Sequence, residues 1–117
     1  MNVSYANQSI AVLGAGESGE SAARLLQQEN AMVTILDTAE ENRLRKKIEA
    51  LGAEGIRVIA DLAAEHESLH GRYHRVILSP GIDPAVPLVQ NFIKRRIEMI
   101  GELELAYEMC KLSLIHI

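Results

Sequence analysis

Ser9-Ile10-Ala11-Val12-Leu13-Gly14-Ala15-Gly16-Glu17-Ser18-Gly19 is the stretch that decides the fold. Its apolar run stops at Gly14, and a short unbroken run of this kind predicts a strand buried on both faces, as in a parallel sheet. The segment 17–28 places Ala22, Leu25 and Leu26 among polar residues, which predicts a helix. Between the two, Gly14, Gly16 and Gly19 have G-x-G-x-x-G spacing. In a strand–loop–helix setting the first glycine permits a tight turn. The second lets a phosphate approach the backbone, and the third allows close helix–strand packing. Free N–H groups of the first helical turn then point towards an anion, and Ser18 can add a hydroxyl donor. Glu17 suits the helix dipole but would repel a phosphate if turned into the site. The competing reading is a tight turn that binds nothing.

Working outward, the same alternation repeats. Residues 32–36 predict a second strand ending at Asp37, and 40–51 a charged amphipathic helix closed by Gly52. Residues 56–59 predict a third strand, and 61–69 a short helix with Asp61 as N-cap. Residues 75–78 predict a fourth strand. Asp83-Pro84 then reads as N-cap and first residue of a helix to about Arg96, because proline's missing N–H costs nothing there. Residues 97–100 predict a fifth strand, and Gly101 or Glu102 opens a last helix through Cys110. Strands alternating with helices imply right-handed crossovers. The expected fold is a single α/β domain over residues 1–110: an open, mainly parallel five-stranded Rossmann-like sheet with helices on both faces. Residues 111–117 are expected to be a truncated or appended tail.

Two more loops fall on the carboxyl edge of that sheet, where open α/β sheets bind ligands. Asp37, followed by Thr38, is placed to accept hydrogen bonds from a ribose, or else to serve as a turn or cap residue. In Ser79-Pro80-Gly81-Ile82-Asp83-Pro84, Gly81 removes bulk, Pro80 stiffens the turn and Ser79 can hydrogen-bond an oxygen. An ordinary strand-to-helix connection is the alternative there.

The order Val12-Leu13-Gly14-Ala15-Gly16-Glu17-Ser18-Gly19, Leu36-Asp37, Leu78-Ser79-Pro80-Gly81-Ile82 and Gly101-Glu102-Leu103-Glu104-Leu105-Ala106 resembles the N-terminal domain of the D-glutamate-adding, MurD-type Mur ligases. The similarity runs over roughly residues 8 to 110. The resemblance implies an ATP-dependent ligase of peptidoglycan synthesis. ATP forms an acyl phosphate on the alanine carboxyl of UDP-N-acetylmuramoyl-L-alanine, and the D-glutamate amine attacks it to form an amide. It implies that this domain holds the UDP part, while central and C-terminal domains of the same protein complete the enzyme. Residue by residue, Glu17 and Ser18 meet the nucleotide end through the loop formed by Gly14, Gly16 and Gly19. Asp37 and Thr38 contact the uridine, and Ser79, Pro80 and Gly81 line the diphosphate–sugar side. Ala39 stands where some relatives place an Arg. The family's ATP loop, G-T/S-N-G-K-S/T, is not found in these 117 residues. No catalytic residue, metal ligand or cofactor is therefore assigned here, and ATP and Mg²⁺ are expected only in the full-length family.

Composition limits the alternatives. A net charge of −4 argues against a general nucleic-acid binder, which needs a basic face. Aromatic residues make up 3% of the chain, so Leu, Ile, Val and Ala must build the core. Cys110 is a lone cysteine, and residues 1–8 lack a basic n-region and an apolar h-region. With no apolar run of bilayer-spanning length, a cytoplasmic protein without membrane insertion is expected. Arg43, Arg45, Lys46 and Lys47 read as a solvated helix face among glutamates. His66, His70 and His74 read as a spacing coincidence interrupted by Gly71 rather than a metal face. Leu103, Leu105 and residues 112–117 are candidates for an apolar surface that self-associates when a neighbouring domain is lacking. Two other functions stay in competition: an NAD-binding module of an oxidoreductase or regulatory protein, which the glycine loop and Asp37 alone allow, and a non-enzymatic interaction domain with an empty pocket.

Overall fold

The computed structural model describes residues 5–115, with side chains through Lys111. The elements alternate throughout: β1 Ser9–Leu13, α1 Glu17–Gln28, β2 Met32–Asp37, α2 Glu41–Ala53, β3 Arg57–Ala60, α3 Asp61–His70, β4 Arg75–Leu78, α4 Pro87–Lys94, β5 Glu98–Gly101 and α5 Glu102–Ile115. Among the described residues the strands form one all-parallel sheet in the order β3-β2-β1-β4-β5. This is the open Rossmann-like architecture expected from the sequence. No helix in this part of the chain is long and apolar enough to cross a membrane.

The alternation of side chains along β1 explains why helices cover both faces. Ile10 and Val12 point to one side and meet Ala22, Ala23 and Leu26 of α1, Leu44 and Leu51 of α2, and Leu105 and Met109 of α5. Ala11 and Leu13 point to the other and meet Ala64 of α3 and Leu88, Val89 and Phe92 of α4. β1 has no exposed edge, since Leu13 lies beside Leu36 of β2 and Leu78 of β4. Phe92 is fully buried, with Tyr73 edge-on at 5.9 Å between ring centroids.

Several element ends differ from the expectation. α2 continues through Gly52 to Ala53 and is closed by Gly55, which takes φ +86° while Ile56 N–H bonds back to the Leu51 carbonyl at 2.9 Å. Asp61 is the first residue of α3 at φ +57° and makes no capping bond; Ala60 holds the N-cap position. Asp83 and Pro84 do not begin α4. The Asp83 carboxylate accepts the Ala85 N–H at 2.9 Å in a turn, and Pro87 is the proline at the start of the helix. α4 stops at Lys94, and Arg96 follows in the left-handed region. The fifth strand starts one residue later than expected, at Glu98, and α5 passes Cys110 to reach Ile115. Leu105 is fully buried, so it cannot belong to an exposed apolar surface, whereas Leu103 is 87% exposed. The side chains of residues 112–117 lie outside the described residues.

Two phenols, Tyr5 buried and Tyr73 half-buried, tie the periphery to this core. Tyr5 donates its hydroxyl to the Glu108 carboxylate and so joins the segment before β1 to α5. Burial, then the Glu108 contact, hold its pKa well above the ordinary value. Tyr73 is pushed up to about 12 by burial and by its bond to Glu67, 2.6 Å long. Because the folded values exceed the unfolded value of about 10, this stabilisation is complete below about pH 10. It is lost as pH rises towards the folded pKa values. Thermal melts are therefore expected to be level to about pH 10 and to fall steeply towards about pH 12, with a shallower fall in Tyr73→Phe. In a separate test by chemical denaturation, Phe92→Ala should cost about 3–5 kcal/mol.

Candidate ligand-binding site

From β1 the chain steps to β2 and β3 on one side, then returns to β4 on the other. The carboxyl ends of β1 and β4 thus flank the point where strand order reverses, the place where open α/β sheets carry a crevice. Three loops leave this edge, after Leu13, Asp37 and Leu78. Backbone bonds weld them at the root: Gly14 N–H donates to the Leu36 carbonyl at 2.8 Å, and Ser79 N–H to the Leu13 carbonyl at 3.1 Å.

The glycines divide the work of the first loop. Gly14 has φ +117°, and a Cβ there would sit 2.8 Å from Ser79 Cβ. Gly19 is buried, and its Cβ would lie 1.9 Å from the Gly14 carbonyl oxygen. Both are demanded by packing. Gly16, the N-cap of α1, is different: it is exposed and nothing lies within 4 Å of its Cβ position. The amides at the start of α1 have no carbonyl of their own helix to bond.

Asp37 joins the first loop to the second. One carboxylate oxygen accepts Ala15 N–H at 2.7 Å and the other accepts Ala39 N–H at 2.8 Å. Its part as a turn residue is thus realised, and each oxygen keeps a further lone pair for a ligand. Thr38, Glu17 and Ser18 are exposed beside it. In the third loop Ser79 is buried, while Pro80 and Gly81 are exposed. All ten candidate residues therefore lie in or beside these three loops, on one edge of the sheet.

The sequence reading overlooked two contributions. The first is Lys47 of α2, which donates to the Ala15 carbonyl and pairs with Glu20 at 3.2 Å. It stands apart from the solvated face to which its basic neighbours assign it. The second is the start of α5. A cavity of about 340 Å³ runs from Ser79 and Pro80 to Glu102 and Leu103. A neighbouring one of about 430 Å³ lies between Ser18 and Leu25 of α1 and Leu103 and Ala106 of α5. One Glu102 carboxylate oxygen is buried without a hydrogen-bond partner among the described residues. The Gly101-Glu102-Leu103 stretch carried the family resemblance but no chemistry that singled out a site. Of the three histidines, His66 and His70 meet at a tilt of 52° with ring centroids 4.6 Å apart, and His74 accepts the Ser9 N–H at 2.9 Å.

The profile of the Mur ligase MurD-like N-terminal domain family matches residues 8–101. The chain belongs to this family. Among its relatives, the UDP-N-acetylmuramoylalanine–D-glutamate ligase of Alkaliphilus metalliredigens is 32% identical over 105 residues, 90% of this chain and 23% of the relative. The ligase of the same name from Latilactobacillus sakei is 39% identical over 107 residues, covering 90% and 23%. That of Streptococcus gordonii is 36% identical over 116 residues, covering 97% and 25%. The MurD-like domain thus spans about a quarter of the length of these ligases. A solved mutant of MtNAS in complex with S-adenosylmethionine superposes with a TM-score of 0.62 over 84% of this chain and 39% of that one. At 16% identity it shows the shared fold alone.

The glycine geometry predicts an unequal response to the same substitution, measured by chemical denaturation. Gly19→Ala should cost about 3 kcal/mol or more because backbone must move. Gly14→Ala should cost about 1–3 kcal/mol through its left-handed φ, and its close approach to the Ser79 side chain adds to that. Gly16→Ala should stay within about 1 kcal/mol of the parent.

Proposed function

We propose that this MurD-like domain binds the UDP portion of UDP-N-acetylmuramoyl-L-alanine in a cytoplasmic, D-glutamate-adding ligase of peptidoglycan synthesis. The observation that carries the reading is Gly16: an exposed helix N-cap with open space around it, on a loop pinned at both sides, in a chain of this family. The diphosphate meets the free amides and the positive dipole end of α1 at Gly16, Glu17 and Ser18. Uridine lies over Asp37 and Thr38, where carboxylate lone pairs and a hydroxyl can meet ribose and base. Ser79, Pro80 and Gly81 line the diphosphate–sugar side. Ala39 packs partly buried against the core, so position 39 itself supplies no cation. Glu17, being exposed, can turn its charge to solvent while its backbone amide serves the ligand.

The residues of this chain do not fit ATP and Mg²⁺. Only one G-x-G-x-x-G loop occurs, no Walker-type lysine loop follows it, and no three His, Cys, Asp or Glu side chains gather as a metal site among the described residues. Activation of the alanine carboxyl and attack by D-glutamate belong to the other domains of the ligase. As a separate polypeptide the domain binds without turnover.

Titration by calorimetry, with thermal shift alongside, distinguishes this from a dinucleotide-binding module. UDP and UDP-N-acetylmuramoyl-L-alanine are expected to bind and raise the melting temperature, with Kd on the order of 0.1–1 mM because other domains supply part of the site. NAD is expected to leave it unchanged. Tight NAD binding with no response to UDP would reverse the assignment.

A further inference from the structure

Lys47 sits in the middle of α2, among cations that otherwise behave as a surface set; Arg45, for example, bonds its own helix neighbour Asn42. Its ammonium instead crosses to the first loop, donating to the Ala15 carbonyl and pairing with Glu20. Ala15 is buried, and its N–H is already held by Asp37. Both backbone polar groups of this residue are therefore gripped from outside the loop, one by the end of β2 and one by α2.

The trans peptide makes the second grip directional. The carbonyl of residue 15 and the N–H of residue 16 belong to one plane and point in opposite senses. Drawing the Ala15 carbonyl towards α2 turns the Gly16 N–H away from α2, on the exposed residue with open space around it. A charged donor suits this task, since hydrogen bonds from an ammonium are about twice as strong as neutral ones.

We propose that Lys47 is a positioning residue: it fixes the Ala15–Gly16 peptide so that the Gly16 amide is preset to receive a diphosphate oxygen. The inference rests on the binding function proposed above. Lys47 does not touch the ligand. It also offsets Glu20, an acid in the first turn of α1 that Arg24 approaches at 3.8 Å. The test must separate presetting an amide from masking a charge.

The ¹⁵N-labelled chain, free and titrated with UDP, does so in four forms: Lys47→Met, Lys47→Arg, the pair Lys47→Met with Glu20→Gln, and the parent. Lys47→Met is expected to shift the Gly16 amide resonance in the free domain and to weaken UDP by about tenfold. Lys47→Arg keeps a charged donor and should retain most of the affinity. Adding Glu20→Gln to Lys47→Met should not restore it. An unmoved Gly16 amide with unchanged affinity in Lys47→Met overturns the proposal. Full restoration by Glu20→Gln overturns it as well, reducing Lys47 to a charge mask. If the parent itself ignores UDP, the binding function fails separately, and the Gly16 resonance of the free variants still decides whether Lys47 sets this peptide.

Discussion

The Asp37 carboxylate, bonded to the amides of Ala15 and Ala39 at 2.7 and 2.8 Å, makes one surface out of two loops that parallel topology merely places side by side. Parallel strands deliver their connections to the same edge, but loops leaving that edge carry backbone amides and carbonyls that need partners. Here the partners come from neighbouring loops and helices. Gly14 bonds across to Leu36, Ser79 to Leu13, and Lys47 reaches Ala15 from α2. Among the described residues, what is left unbonded is the helix start beyond Gly16. In the proposed function, the anion site is what remains of a hydrogen-bonding problem otherwise solved inside the protein.

The charge balance fits this division. An acidic domain can hold an anion only if the nearby carboxylates are occupied or turned away, because local dipoles act over short range. Asp37 is occupied by two amides, and Glu20 by Lys47 and Arg24. Glu17 is exposed and can face water. The net charge of −4 therefore weighs against a polyanionic partner without weighing against one diphosphate.

Much of this was legible in the residues. The runs Ile10–Leu13 and Val33–Leu36 read as strands covered on both faces, and all their residues but half-buried Thr34 are buried; the glycine spacing specified the turn between β1 and α1. Helix ends were less legible where two punctuating residues lie a few positions apart. Gly52 and Gly55 are equal candidates locally; burial of both Leu51 and Ile56, joined by a backbone bond, selects Gly55. Pro84 and Pro87 pose the same choice, settled by the buried face Leu88, Val89 and Phe92. Lys47 could not be read at all. Its partner lies 32 residues away in sequence, and only the crossover of α2 brings the two together.

The central claim is that one rim, built from three loops, receives the nucleotide diphosphate. Amide chemical-shift mapping of the labelled chain with UDP measures this most directly. The account predicts coincident, saturable shifts at Gly16, Glu17, Ser18, Thr38, Ser79 and Gly81, with little change in α3 and α4. Shifts confined to the groove between α1 and α5, with Gly16 and Thr38 unmoved, would contradict it.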